Sequence, residues 1–509
     1  MILSVHFDFV AILLNCAYIC FGLLIVNHVL GFIQRLNRLP SGPWGLPVVG
    51  YLPFTRDDTY VQFGELAVKY GPVFSVKLGS YDVVVLADWK SIREAFSSDH
   101  LLSRPRENFF GDELKDVSFT EMSGDPWKEQ RRIAMTTLRN VGLGKSKMED
   151  LIREEIDSFL NELKTTDERP FKFIDKVKLS IPNNVSILLF GHKYDYDDPV
   201  KVELEKNLDN ADSVGHFISS GVFMPWITKF LIFFNYLDMK EMIKIIKRTD
   251  CFVQIEIDKH LEKMKTSDTK EIEDYIDGFL HEMDKRADEN NSNFNREVLL
   301  RNTSAFYSAG SSTIQSTLNW TMAYLAAYPE YQEKIRDEIR ETIGFDRLPN
   351  NVDRQRMPFT ISFIYEVHRM VSLVPINLQR RATADVKIGD KLIPKDTLVL
   401  FNFWSVHRDS SLYPEPDKFD PNRFLIDNGT KAVKPQHLIP FSGGKRVCPG
   451  ESLANLQLFL YVVSILQKFK VLPEPGKQIS FESRYNGGRQ PKNPIYVIFK
   501  QLTIPETKG

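Results

Sequence analysis

The plainest pattern lies in the first forty residues. From Phe9 to Ile33 the chain has no Asp, Glu, Lys or Arg, a run of 25 residues. As a helix that run would span about 37 Å, against a hydrocarbon core of roughly 30 Å. Asn15, Asn27 and His28 interrupt it, which narrows the predicted span to Phe9–Val26. Arg35 and Arg38 follow the run and only Asp8 precedes it, a bias that predicts a cytosolic downstream chain. No basic leader with a short apolar run and a small-residue cleavage site is evident. The segment therefore reads as an uncleaved signal-anchor; a cleaved signal peptide is the competing reading. Leu39 to Gly50 runs L-P-S-G-P-W-G-L-P-V-V-G. Proline fixes φ and cannot donate, so this is a stiff connector.

Beyond it, helical periodicity dominates. Helices are predicted over Val200–Asn210, Glu241–Lys265, Asp274–Ala287, Val298–Tyr328, Gln332–Ile343 and Leu453–Phe469. Strand-like runs are short: Val73–Leu78 with Asp82–Leu86, Leu398–Phe403 and Ile495–Phe499. Asn290–Asn295 reads as a loop. The fold class is mainly α with a minor β part, preceded by one N-terminal transmembrane helix. The expected division is an anchor over 1–33, a Pro-rich connector over 34–50 and a catalytic domain over 51–509. Phe217–Leu237 holds Phe217, Phe223, Trp226, Phe230, Phe233, Phe234 and Tyr236 around Pro225. It is too broken for a bilayer span, and reads either as core or as an amphipathic patch in the membrane interface.

Composition narrows the chemistry only a little. With 43% hydrophobic and 26% charged residues the chain is globular, and a formal charge of −2 gives no field that would draw nucleic acid. Phe outnumbers Tyr 36 to 18, which suits an apolar cavity or simply a large core. The four cysteines, Cys16, Cys20, Cys251 and Cys448, form no close-spaced even framework, as in a reducing compartment.

Candidate chemistry concentrates at F-S-G-G-K-R-V-C-P-G, Phe441 to Gly450. Glycines admit a flat ligand close to the backbone. Cys448 precedes Pro449, a favoured first helical residue, so its thiolate would feel the positive end of the helix that follows. Arg446 offers a fork for a carboxylate. One cysteine cannot make a zinc site, but one thiolate suffices for a haem iron.

Phe441, Gly444, Arg446, Cys448 and Gly450 together resemble the haem-binding motif of the cytochrome P-450 family, F-x-x-G-x-R-x-C-x-G. Other landmarks follow in family order. Glu366 and Arg369 in Y-E-V-H-R are similar to its E-x-x-R, and Arg423 in F-D-P-N-R-F stands where the third partner of a buried charge network belongs. Trp127 and Arg131 in W-K-E-Q-R match W-x-x-x-R and imply donors to a haem propionate, as does Arg380, with Arg381 beside it. A-G-S-S-T, Ala309 to Thr313, resembles A-G-x-[D/E]-T, which implies an oxygen-binding groove formed with Gly310 and a proton-delivering Thr313. Ser312 departs from the pattern, where the family has an acid. The resemblance also places Phe119, Phe306, Ala309, Thr313, Ile376 and Leu378 near the substrate. D-Y-I-D-G-F-L, Asp274 to Leu280, and the Pro-rich connector look like the microsomal class that includes drug and steroid hydroxylases.

The resemblance implies a haem-thiolate monooxygenase with Cys448 as the metal ligand. It would insert one oxygen atom from O₂ into a lipophilic fatty acid, sterol or xenobiotic. Electrons would come from NADPH through a separate NADPH-cytochrome reductase, with cytochrome b5 as an optional donor, since no nucleotide fingerprint is present. The expected location is the endoplasmic reticulum membrane, facing the cytosol. Ser312 keeps open an alternative, a haem-thiolate isomerase or dehydratase acting on lipid peroxides without a reductase. A non-catalytic haem carrier is a third reading.

Overall fold

A 32-residue helix, Arg296–Ala327, runs through the middle of the molecule. Asn295 caps it, its side-chain oxygen accepting from the Val298 amide at 3.0 Å. From Val298 to Ala327 only Ala309 and Thr313, one turn apart, are exposed. A helix covered on almost every side is a core helix. It packs on Phe173–Phe190, Met239–Thr266, Pro358–Val371 and Glu451–Lys468. The computed structural model describes residues 2–105, 118–143, 146–205, 223–224, 227, 230, 232–235, 239–266, 271–288, 293–485 and 488–503.

The β part is minor; one small sheet, Phe469–Pro473 with Tyr496–Gln501 and Phe171–Lys172, packs into the helical core, and the largest sheet has apolar clusters of its own. That largest sheet runs Val73–Leu78, Tyr81–Leu86, Leu398–Phe401, Arg380–Arg381. The first pair is antiparallel, the second parallel and the third antiparallel. Burial on both faces explains why Val83–Leu86 and Leu398–Phe401 read as continuous apolar runs rather than as alternation. The predicted helices and strands over described residues are found within a few residues of their expected ends. Helices at Thr59–Tyr70, Trp89–Phe96, Ser146–Lys164 and Phe173–Phe190 were not anticipated. Residues 206–210, 290–292, Phe217, Pro225, Trp226 and Tyr236 lie outside the described residues.

The N-terminal helix runs from Ile2 to Arg38, well past the expected Val26, and Leu14–Arg38 is long and apolar enough to cross a membrane. Its last turns are fastened to the body. Arg35 pairs with Asp82 at 2.7 Å and donates to Ser75 Oγ at 3.2 Å. His28 Nε2 lies 2.9 Å from the Gly45 carbonyl, and Phe32 packs on Trp44 with centroids 4.2 Å apart. The connector thus folds back as a clasp. A Cβ on Gly42 would meet the Ser75 carbonyl oxygen at 1.6 Å, so this position requires glycine.

The aromatic stretch divides. Phe223 is buried against the sheet, and its carbonyl accepts from Ser80 N at 2.9 Å. Phe230, Phe233 and Phe234 stand exposed with their rings in contact. Three adjacent exposed phenyls form a patch of the kind that docks in a membrane interface. A chain lacking residues 1–33 should therefore still co-float in part with phospholipid vesicles at low salt. Phe230→Ser, Phe233→Ser and Phe234→Ser together should release the remainder. A truncated chain that is wholly soluble removes the patch from the membrane contact.

Candidate functional site

Cys448 lies two residues before the cap of the helix Glu451–Lys468, whose N-cap is Gly450. The helix starts slightly before the predicted Leu453, and Pro449 lies ahead of it rather than serving as its first residue. The Cys448 amide donates to the Phe441 carbonyl at 2.9 Å, which closes the loop on itself. Cys448 is solvent-accessible, yet burial is the largest influence on its thiol and raises its pKa. The sulfur therefore sits in a cleft walled by protein. The amides of Gly450 and Glu451 and the charge of Arg131 pull the other way without prevailing. The expected stabilisation of the anion is present but outweighed by burial.

Packing makes its own demand on the loop glycines. A Cβ on Gly443 would lie 2.6 Å from the Phe96 ring, and one on Gly444, at φ +66°, 2.5 Å from the Phe96 carbonyl oxygen. They admit the end of the helix Trp89–Phe96 against the loop. Gly450 has no such neighbour; its Cβ would sit 3.9 Å from the sulfur.

Four guanidiniums gather beside this loop. Arg131 donates to the Val447 carbonyl at 2.6 Å. Arg446 is committed to three backbone carbonyls, Leu102 at 3.0 Å, Phe119 at 3.3 Å and Met122, and lies 3.8 Å over the Trp127 ring. Its fork is thus largely spent on backbone rather than open to a carboxylate. Arg104, which the sequence did not single out, is buried and donates to the carbonyls of Thr120, Leu378 and Gln379. Arg380 is buried with Nε and Nη1 unpartnered, while the adjacent Arg381 turns to Asp396 at 3.8 Å. None of the four makes an ion pair among the described residues. Burial, then Arg104, Arg446 and Arg131, push Arg380 down to about 8. Burial, then Arg104 and Arg131, bring Arg446 to about 9.

The indole N–H of buried Trp127 also lacks a partner, and an orphaned buried donor costs about 1–3 kcal/mol. Clustered cations and an orphaned donor require an anion with several acceptor oxygens. The two propionates of a haem supply one, so the residues present fit that group beside the Cys448 thiol.

Beyond the first two residues of the central helix, Ala309 and Thr313 form the one exposed spot. Thr313 Oγ1 donates to the Ala309 carbonyl at 2.8 Å, and Ser312 Oγ to Ser308 at 2.9 Å. Gly310 answers to packing as well: a Cβ there would meet Val185 at 3.2 Å, on the helix Phe173–Phe190. Phe119 and Phe306 stack with centroids 4.8 Å apart. The Phe119 backbone accepts from Arg446 and donates to Asn302 Oδ1 at 2.7 Å, and Asn302 donates to Gln130 at 3.0 Å. One residue thereby ties the cysteine loop to the central helix. Ile376 is buried in the cluster under the sheet, and Leu378 is 60% exposed.

The charge network is complete. Glu366 and Arg369, both fully buried, form a two-bond pair at 2.7 Å, and Arg423 reaches Glu366 at 3.1 Å. Arg369 also donates to the carbonyls of His407, Pro416 and Lys418. His407 accepts from the Ile439 amide at 3.1 Å, which leaves its Nδ1–H to face Ser372 at 2.7 Å. The network thus extends to the start of the cysteine loop. His368 packs edge-on against Phe441 at 5.2 Å. Arg104, Asn302, His368 and His407 carry no spacing signal, because their partners are distant in sequence.

A family model described as Cytochrome P450 matches residues 40–499. Among curated proteins, Cytochrome P450 2J2 of Homo sapiens is 34% identical over 89% of this chain and 89% of its own length. Cytochrome P450 2H2 of Gallus gallus is 33% identical, covering 92% and 94%. Cytochrome P450 2E1 of Oryctolagus cuniculus is 34% identical, covering 86% and 88%.

The buried histidines make stability depend on pH. Burial lowers His407 well below its ordinary value, with Arg369 next in effect, and lowers His368 to about 3, with Lys434 next. The unfolded chain then takes up protons that the native chain refuses, so stability is whole above the unfolded value near 6.5 and falls below it. Between pH 6.5 and 4 the His368 imidazole should remove roughly 1.4 kcal/mol per pH unit. Urea unfolding across that range should show the slope, and His368→Leu should reduce it by one proton. An unchanged slope contradicts the assignment.

Proposed function

This chain belongs to the cytochrome P450 family, and from that premise we propose that it is anchored by its N-terminal helix in the endoplasmic reticulum membrane, catalytic domain in the cytosol, and hydroxylates lipophilic small molecules. Its class of activity is monooxygenase and its cofactor a haem held by a cysteine thiolate. We assign the thiolate to Cys448 and the propionate contacts to Trp127, Arg131 and Arg380, with Arg104 added; Arg446, its nitrogens on the Leu102, Phe119 and Met122 carbonyls, contributes its charge beside them. Electrons come from NADPH through a separate reductase, and cytochrome b5 is a second donor to test. The observation that carries this reading is the uncompensated guanidinium group with the orphaned Trp127 N–H, set beside an accessible thiol.

When bound, the haem supplies the chemistry that cleaves dioxygen, with one oxygen atom going to substrate and the other to water at the expense of two electrons and two protons. The amides of Gly450 and Glu451 and the charge of Arg131 help Cys448 to hold negative charge. The stacked Phe119 and Phe306 give the cleft an apolar wall that excludes water. The Thr313 proton is committed to Ala309, so its hydroxyl turns lone pairs toward the cleft and accepts a hydrogen bond there. Ser312 points its proton back at Ser308, so it passes none to the cleft without rotating about χ1.

This inequality gives the test. Thr313→Ala should raise hydrogen peroxide release and lower product formed per NADPH consumed in a system with reductase. Ser312→Asp supplies an acid at the helix position where a positioned acid–base group contributes about 10²–10⁴-fold if proton transfer limits the rate. It should preserve or improve that ratio. Turnover of a lipid peroxide without reductase, with Thr313→Ala indistinguishable from wild type, would replace the monooxygenase reading by the isomerase or dehydratase one.

A further inference from the structure

Where the anchor helix meets the body, the two flank a half-open cavity of about 590 Å³ whose lining includes no residue of the Cys448 loop. Its walls are the last turns of the anchor, the clasp, the hairpin at Lys77–Asp82 and the turn at Pro394–Thr397. Leu24 and Phe32 line the end nearer the apolar run; Arg35, Arg38, Lys77 and Lys395 line the rest. The acids present are Asp82 and Asp396. Asp82 is taken by Arg35 and Asp396 lies 3.8 Å from Arg381. Arg38, Lys77 and Lys395 make no ion pair among the described residues.

Three cations thus face a space whose apolar end continues onto a membrane-spanning helix with exposed Leu24 and Ile25. The shared chemistry of any fitting ligand is a phosphate ester. Of its two sources, a free phosphate would use the cations and leave the apolar end idle. We propose that the cavity binds the headgroup of an anionic phospholipid, its phosphate held by Arg38, Lys77 and Lys395 and its acyl chains lying along the anchor. Such a lipid would fix the angle of the catalytic body to the membrane. The clasp supports this by being rigid: Tyr51 N donates to the Lys77 carbonyl at 2.6 Å and Gly79 N to Val49 at 3.0 Å, so the Lys77 backbone cannot drift from the connector.

The test is native mass spectrometry of the full haem-loaded chain in detergent, titrated with phosphatidylserine, with phosphatidylcholine and with inorganic phosphate. Wild type should retain one phosphatidylserine in preference to phosphatidylcholine. Each charge removed should weaken that retention about fivefold, so Arg38→Gln, Lys77→Gln and Lys395→Gln combined should abolish the preference. Lys265→Gln, on an exposed helix end elsewhere, should leave it intact. Should the triple variant misfold, Lys395→Gln alone, on an exposed turn, gives the fivefold step. Equal retention of phosphatidylserine by the triple variant and wild type overturns the proposal. So does displacement of the lipid by millimolar inorganic phosphate, which would make the cavity a site for free anions.

Discussion

Like charges held close together out of water set the terms for this site. Arg104, Arg131, Arg380 and Arg446 come from four separate stretches of chain and meet beside one loop. Backbone carbonyls satisfy much of their hydrogen bonding but none of their charge, and Glu121 eases Arg104 and Arg446. Arg380, which makes no ion pair among the described residues, is the most strongly affected of these. Repulsion of this kind is tolerated when a ligand supplies the missing anion. Binding that ligand then stabilises the fold by mass action. Haem is in this sense part of the folded structure and not only the carrier of its chemistry.

The opposite arrangement holds the loop from behind. Glu366 and Arg369 are fully buried, and Arg423, the Asp420 amide and three carbonyls leave neither with unmet capacity. A buried pair adds little stability when whole, but removing one partner costs about 3–5 kcal/mol. Its value lies in placement. Through Arg369, the His407 carbonyl and then His407 Nε2, a continuous line of hydrogen bonds reaches Ile439, two residues before Phe441. The cysteine loop is thereby braced on one side by satisfied charge and faced on the other by unsatisfied charge.

The residues themselves were legible where short spacing encodes a contact. Glu366 and Arg369 sit at i and i+3, Trp127 and Arg131 at i and i+4, and Phe441 to Gly450 is one loop. Their reasons were less legible. Gly443, Gly444 and Gly310 read as openings for a ligand, and the packing of Phe96 and Val185 against them is a second demand that no local pattern records. Arg446 looked free because the carbonyls that take its fork lie more than 300 residues away. Arg104 was invisible for the same reason. The anchor was foreseen by composition, but its extension to Arg38 depends on Asp82, Ser75 and Trp44, contacts no local pattern records.

The most direct measurement compares Arg380→Met with wild type in two states. Removing the least compensated cation should raise the urea midpoint of the haem-free chain, because a repulsion is relieved and an apolar group of similar length takes its place. The same substitution should weaken haem binding by at least tenfold, the lower end of what a lost charge-assisted hydrogen bond of about 1.5–3 kcal/mol allows. A lowered midpoint without haem together with unchanged haem affinity would contradict the claim that this charge is held in place for the ligand.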